Sequence, residues 1–515
     1  MRITFRTDAS LEIGTGHVMR CLTLAQGLRE AGATCRFVTR ALPGHMGARI
    51  RAEGFELTLL PPPDGPAPQA PPAHAHFAGV EWARDAAETR AALDPAPDWL
   101  VMDHYAFDAN WQEAALPRGT RLMVIDDLAD RPHRCDLLLD QNLGRNAHDY
   151  DGLVRDGCTR LIGPQFALLR PEFAERRARA LVARGGRGLR HLLITMGGMD
   201  PQDATSGILA ALKAAPLPHD LRITVIMGGK APALGRVRKL AADMPWPTEV
   251  AVDVSDMAAR MEAADLAIGA GGSTTWERCA LGLPSIIVQI AENQAGIARA
   301  MVKAGAALDP GPITAPDFAP DFAPSLHDTL SKAQDRLEEL AQQAALICDG
   351  DGLARVMALL MRATLSFRPA TESDSTRIWE WRAASGMEKY SLSGEVTPFA
   401  DHHAWFTRAL HDPRRGFRIQ MLGVLPCGYL RLDRGEDSRA RVSICLAPEA
   451  RGKGLAESLL AEAACLGHSL GLVHLEAEIH PQNEASLRCF ERAGYVRGTD
   501  IGEFRTYTLT LREER

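Results

Sequence analysis

Short apolar runs alternate with helically spaced apolar residues from residue 1 to about 155, and the same alternation starts again near residue 160. In the first stretch the runs are Ile3 to Thr7, Cys35 to Val38, Trp99 to Asp103, Leu122 to Ile125 and Leu137 to Leu139. In the second they are His191 to Thr195, Ile223 to Met227, Glu249 to Val252, Leu266 to Ile268 and Ser285 to Gln289. A strand covered on both faces needs an uninterrupted apolar run, and the helix leading to the next parallel strand needs an apolar stripe. The pattern therefore predicts two doubly wound parallel sheets in succession, with a substrate cleft between them and a closing helix over residues 330–347. Beyond a helical stretch ending near residue 364 the pattern changes, because Arg418 to Leu422, Gly428 to Leu432 and Arg441 to Leu446 follow one another as consecutive strands. Consecutive strands pair antiparallel, so the last part reads as α+β. The expected organisation is a Rossmann-like domain at 1–155, a second at 156–350, a linker at 351–365 and a separate domain at 366–515.

Composition narrows the class. The 515 residues exceed what one core holds, and 46% apolar and 24% charged residues with a net charge of -7 give no electrostatic reason to expect nucleic acid. Ten cysteines are spread without a CxxC or a Cys/His cluster, so neither a disulfide framework nor a metal site is expected, and a reducing cytoplasm is. No export signal or uninterrupted apolar span of membrane length is apparent. Residues 61–72 hold seven prolines and read as a surface insertion.

The chemistry begins at Ile13-Gly14-Thr15-Gly16-His17. Val18, Cys21, Leu22, Ala25 and Leu28 recur at helical spacing after it, so a glycine turn joins the first strand to a helix with His17 at its mouth. Such a turn aims N–H groups and the positive helix end at an anionic sugar-nucleotide, and the same dipole favours a neutral imidazole that can take a proton from water. A turn serving only tight packing is the competing reading. It is not a dinucleotide fingerprint, since Met19 and Arg20 stand near where a third glycine would fall and the second strand ends in Thr39-Arg40. Asp103-His104-Tyr105 and Asp126-Asp127 also follow strands, as ligand positions or as helix caps. In the second half, Met196-Gly197-Gly198 is a glycine turn after its first strand. There too, Gly271, Gly272, Ser273 and Thr274 open a helix and can offer N–H groups to a diphosphate, with Glu277 placed for the ribose hydroxyls or, equally, as a dipole partner of the first turn.

Taken with Val124-Ile125-Asp126-Asp127-Leu128-Ala129-Asp130, Leu139-Asp140-Gln141-Asn142, Gly163-Pro164-Gln165-Phe166-Ala167-Leu168-Leu169-Arg170-Pro171-Glu172-Phe173 and Ala291-Glu292-Asn293-Gln294, residues 1 to about 345 resemble the UDP-sugar hydrolases of pseudaminic acid biosynthesis. The resemblance implies a GT-B-like pair of Rossmann-like domains and release of UDP from UDP-2,4-diacetamido-2,4,6-trideoxy-β-L-altropyranose. It also implies that His17 is the general base for water. Gly14, Gly16, Tyr105, Asn293 and Gln294 then fall near the sugar and the backbone at Val254 near the uracil.

Leu446-Ala447-Pro448-Glu449-Ala450-Arg451-Gly452-Lys453-Gly454-Leu455-Ala456 is a strand end, a glycine turn and a helix start. With Phe367-Arg368-Pro369, Trp379-Glu380-Trp381-Arg382 and His480-Pro481-Gln482-Asn483, it resembles the GNAT acetyltransferases over residues 366–515. That implies acetyl-CoA as co-substrate, held by Arg451 to Ala456, by the strand near Ile444 and Leu446, and by Asn483. His402-His403-Ala404-Trp405-Phe406 is similar to the N-terminal region of the same pathway's acetyltransferase, or is a plain helix face. Phe490 stands where the family often has a proton-donating tyrosine, and Glu476 and Glu478 are possible bases or a solvated strand face. The partners implied are a UDP-linked amino sugar, acetyl-CoA and water, without nucleic acid, membrane or metal. A glycosyltransferase, or a hydrolase with a catalytically inactive GNAT module, stays open, as do the sugar stereochemistry and the oligomeric state.

Overall fold

The computed structural model describes residues 1–290, 294–311, 313, 322–361, 365–384, 397–451 and 454–511. These divide into two units, Met1–Leu360 and Met361–Arg515.

The first unit holds two parallel sheets. In the first, β1 (Arg2–Thr7), β2 (Thr34–Arg40), β3 (Glu56–Leu60), β4 (Trp99–Asp103), β5 (Arg121–Ile125), β6 (Leu137–Asp140) and β7 (Thr159–Ile162) lie in the order β3-β2-β1-β4-β5-β6-β7. In the second, β8 (His191–Thr195), β9 (Arg222–Met227), β10 (Thr248–Val252), β11 (Leu266–Ala270), β12 (Ser285–Val288) and β13 (Ala307–Leu308) lie in the order β10-β9-β8-β11-β12-β13. Central strands are apolar along their length: Leu100, Val101 and Met102 of β4 are fully buried, and each such side chain contributes roughly 1.5–3 kcal/mol through burial. Both sheets reverse their strand order beside the first strand, between β1 and β4 and between β8 and β11. In open α/β sheets ligands bind at such a point, above the carboxyl ends of the strands.

Two chain segments connect the sheets. The helix Pro171–Arg184 follows the first sheet, and the helix Gly352–Leu360, lying in the stretch expected as a linker, returns to pack on the helix Gly16–Glu30. A Cβ at Gly27 would come within 2.7 Å of Met357 Sδ. The segment read as one helix over residues 330–347 is two, Phe322–Asp335 and Leu337–Ile347, broken at Arg336.

The second unit is a mixed sheet of β14 (Leu365–Pro369), β15 (Arg415–Leu422), β16 (Leu425–Arg434), β17 (Arg439–Leu446), β18 (His474–Ile479), β19 (Val496–Arg497) and β20 (Arg505–Thr510), in the order β14-β15-β16-β17-β18-β20-β19. β17 follows β16 in register from Ala440 to Leu446, but pairs in parallel with β18 only from Arg439↔His474 to Arg441↔Glu476. Beyond Arg441 the two strands part, and among the described residues that edge of β17 has no strand partner.

Candidate active sites

His17 lies at the switch point of the first sheet, where register pairs Thr7 of β1 with Asp103 of β4. Its loop is shaped locally: the Ser10 hydroxyl accepts from Ile13 N–H, Gly14 donates to the Ser10 carbonyl, and Gly14 adopts φ +79°, a region costly for other residues. The imidazole is 7% exposed and its Nδ1 is 2.5 Å from Asp103 Oδ1. Arg20, one helical turn on, grips the same carboxylate with Nε 2.5 Å from Oδ2 and Nη2 2.7 Å from Oδ1, and reaches Asp127 Oδ2 at 3.1 Å. Burial alone would protonate Asp103, but Arg20 and then His17 hold its carboxyl well below the usual range. A carboxylate on Nδ1 leaves Nε2 of a neutral imidazole as the proton acceptor.

Tyr105 meets the imidazole edge-on, ring centroids 4.5 Å apart, and its phenol is raised first by burial and then by the Asp127 carboxylate. The proline-rich insertion folds back onto this loop. His74 packs on Tyr105 with centroids 5.5 Å apart, and His76 Nε2 lies 3.2 Å from Glu12 Oε1. Beneath, Arg6, Asp8, Arg40 and Asp85 form a fully buried ion network, to which His104 adds Nε2 at 3.3 Å from Asp8. Sequence reasoning had not assigned roles to Arg20 or His74. Arg20 carried a signal, its spacing of three from His17 on one helix face.

At the switch point of the second sheet, the turn after β11 is braced from below. Arg278 is fully buried and donates to the Ala270 carbonyl at 3.1 Å and the Thr275 hydroxyl at 3.1 Å, and a Cβ at Gly269 would strike its Nη1 at 2.3 Å. Gln294 Oε1 accepts from Gly271 N–H at 3.4 Å, so that amide is already partnered; the N–H groups of Gly272, Ser273 and Thr274 have no acceptor among the described residues. Burial pushes the Glu277 carboxyl up to about 7 against Arg170, which stands 3.9 Å away. Val254 packs on the core of this half. Asn293 lies outside the described residues.

In the second unit, the parting of β17 and β18 opens a cavity of about 660 Å3. Ile444 and Glu478 line its two strand walls, Asn483, Ser486 and Phe490 line it from the helix Glu484–Arg492, and Arg382, Trp405, Arg415 and Arg431 form another wall. The Arg431 and Arg415 guanidiniums sit 5.3 and 5.7 Å from the Trp405 ring centre. Asn483 caps that helix by accepting from Ser486 N–H at 3.2 Å. Phe490 packs edge-on against Tyr495 and offers no proton. Glu476 and Glu478 are each paired with an arginine across the strand pair, Arg439 at 2.6 Å and Arg441 at 2.9 Å. Gly454 takes φ +74° and starts the helix Leu455–Ser469, which includes Ala456. The Arg451 side chain turns inward, donating to the carbonyls of Leu446 at 3.1 Å and Trp381 at 3.1 Å, so only its backbone remains for a ligand. Gly452 and Lys453 lie outside the described residues. His402, buried, donates Nε2–H to the Ser375 carbonyl at 3.1 Å and borders the same cavity.

Among the described residues no group of His, Cys, Asp and Glu is arranged to hold a metal, and no helix is long and apolar enough to cross a membrane.

Comparison with known proteins divides the chain in the same way. Residues 191–310 match the glycosyltransferase family 28 C-terminal domain, and residues 364–496 match the acetyltransferase (GNAT) domain. The spore coat polysaccharide biosynthesis protein SpsG of Bacillus subtilis (strain 168) is 31% identical over 156 residues, 30% of this chain and 45% of SpsG, so the match spans less than half of that relative. The UDP-2,4-diacetamido-2,4,6-trideoxy-beta-L-altropyranose hydrolase of Campylobacter jejuni subsp. jejuni (serotype O:2) is 27% identical over 243 residues, 47% of this chain and 74% of the relative. A crystal structure of Acinetobacter baumannii MurG aligns with a TM-score of 0.51 at 15% identity, covering 70% of this chain and 99% of that one. The fold is thus a GT-B-like pair of Rossmann-like domains followed by an α+β GNAT domain.

Proposed function

We propose that this chain, a hydrolase-like GT-B unit joined to a GNAT domain, carries out two consecutive steps on one UDP-linked sugar. The GNAT domain N-acetylates the 4-amino group of a UDP-4-amino-4,6-dideoxy-N-acetyl-altrosamine. The GT-B-like unit hydrolyses the resulting UDP-2,4-diacetamido-2,4,6-trideoxy-β-L-altropyranose to UDP and free sugar.

The observation that carries this reading is the His17–Asp103–Arg20 cluster at the switch point, in a chain that matches the Campylobacter hydrolase over 243 residues. Asp103 accepts from Nδ1–H, so Nε2 takes a proton from water as the water oxygen bonds to the anomeric carbon. The anomeric carbon–oxygen bond breaks on the opposite face, its electron pair staying with the diphosphate. Amides of Gly272 to Thr274 meet that charge, Glu277 accepts from the ribose, and the backbone at Val254 faces the uracil. Tyr105 and Gln294 border the sugar. A diphosphate leaves readily, so no strong general acid is required.

Acetyl-CoA would supply the acyl group in the second unit, and the residues there fit it: the edge of β17 at Ile444 beyond its pairing with β18, the Leu446 carbonyl being held by Arg451, the turn at Gly454, and Asn483 on the cavity wall. The wall around Trp405 sets three arginines against Asp433, which pairs with Arg431 at 2.9 Å and Arg415 at 3.5 Å, and the surplus of arginine over carboxylate there supports an acceptor that carries a diphosphate and a flat base. With Phe490 unable to donate, water or another residue returns the proton to the departing sulfur.

The test is product analysis with the full chain. Supplied with the UDP-4-amino sugar and acetyl-CoA, it should yield CoA, UDP and free diacetamido sugar with no sugar acceptor present. Release of UDP only when an acceptor sugar is added would replace hydrolysis by glycosyl transfer. Absence of CoA release would make the GNAT domain a binding module.

A further inference from the structure

Two thiols outside both candidate sites face each other on the edge of the first sheet. Cys135, in the loop before β6, and Cys158, immediately before β7, have sulfurs 3.5 Å apart. The strands that follow are parallel neighbours with Leu137 opposite Thr159, and Thr159 N–H donates to the Asp136 carbonyl at 3.0 Å, so the pair is held by the sheet rather than by chance contact. The two sulfurs differ in setting. Cys135 is fully buried in an apolar cluster, whereas Cys158 is part-exposed. The Cys158 thiol is held below its ordinary value by the hydrogen bond from Cys135, against its burial, and further by the Arg160 and Arg155 guanidiniums, with Asp136 opposing. Arg155 is anchored at the pair by donating to the Cys135 carbonyl at 3.0 Å. Of the other cysteines only Cys465 is exposed.

We propose that Cys158 and Cys135 are a reversible oxidation site for peroxides, with Cys158 the attacking and Cys135 the resolving sulfur. The Cys158 thiolate attacks one peroxide oxygen; the O–O bond breaks, hydroxide leaves, and Cys158 becomes a sulfenic acid. Cys135 sulfur then bonds to Cys158 sulfur, the S–O bond breaks, and the sulfenic oxygen leaves as water with the Cys135 proton. The peroxide gains two electrons and the two thiols lose them. The sulfurs close from 3.5 Å to a bond of about 2.05 Å.

The experiment treats the full chain with limiting hydrogen peroxide, alkylates the remaining thiols and maps peptides by mass spectrometry. Wild type should show a 135–158 cross-link that dithiothreitol reverses, formed roughly tenfold faster than any modification of Cys465, because thiolate character and not exposure alone sets the rate. Cys135→Ala should stop at a sulfenic acid on Cys158 that dimedone captures, and Cys158→Ala should leave Cys135 untouched. The idea is overturned if Cys158 and Cys135 of the wild type stay separately alkylatable while Cys465 is oxidised, a result that needs no variant to fold. Neither thiol belongs to the hydrolytic or acetyl-transfer sites, so the outcome stands whichever sugar those sites use.

Discussion

Asp103 is shared between an imidazole and a guanidinium, and the sharing has a chemical purpose. With Arg20 satisfying both its oxygens, the buried carboxylate can orient Nδ1 of His17 while its charge is already balanced. His17→Asn should abolish UDP release while UDP binding, followed by calorimetry, is retained. Asp103→Asn should lower kcat by about 10²–10⁴ with little change in KM, the signature of a residue that positions the base. Near-normal turnover in His17→Asn would remove the base assignment altogether. Glu277 makes a separate prediction. Its carboxyl is pushed up to about 7 by burial, and in the proposed ribose contact only the ionised form would accept from both hydroxyls. UDP affinity should therefore fall as the pH drops through 7, by up to about tenfold per pH unit, and Glu277→Gln should flatten that dependence. Titrations with UDP at pH 6 and pH 8 check the sign.

At the scale of elements, the central strands were readable because they are buried on both faces and so carry unbroken apolar runs; β4, Trp99–Asp103, matches its predicted span. β3 and β7 were missed because they are the two edges of the sheet, short and only half covered, and Glu56 and Thr159 open them with polar residues. The break at Arg336 was hidden because apolar spacing continues across it. The His17 loop was legible from local glycine chemistry. Its partner was not, because Asp103 is 86 residues away and only the order β2-β1-β4 brings the two together. The Gly352–Leu360 helix offers a packing prediction. Gly27→Ala should be near neutral, since about 0.5–1 kcal/mol of gained helix preference offsets pressure on the flexible end of Met357. Gly27→Leu should cost about 2–3 kcal/mol in denaturant titration, and Met357→Ala in the same chain should return part of it.

For the whole molecule, the two proposed chemistries on one chain predict separable defects. His17→Asn should leave acetyl transfer intact, so that the acetylated UDP-sugar accumulates and is seen by mass spectrometry. Arg431→Ala, in the wall beside Trp405, should raise KM for the UDP-amino sugar more than tenfold. It should leave hydrolysis of supplied UDP-diacetamido sugar unchanged. A variant that loses both activities together would argue that the chain does not divide its labour this way.

The two crossings between the sheets of the first unit do not merely connect them; they lie against each other. A Cβ on Gly352 would come within 2.5 Å of the Ala167 backbone, Arg355 donates to the Gln165 carbonyl at 2.7 Å, and Arg177 of the outgoing helix donates to the Cys348 carbonyl at 3.0 Å on the returning segment. A joint made of one peptide would let the halves twist and slide. Two peptides bolted side by side leave a single axis of swing, so the expected motion that admits a nucleotide-sugar and lets UDP depart is a one-directional opening.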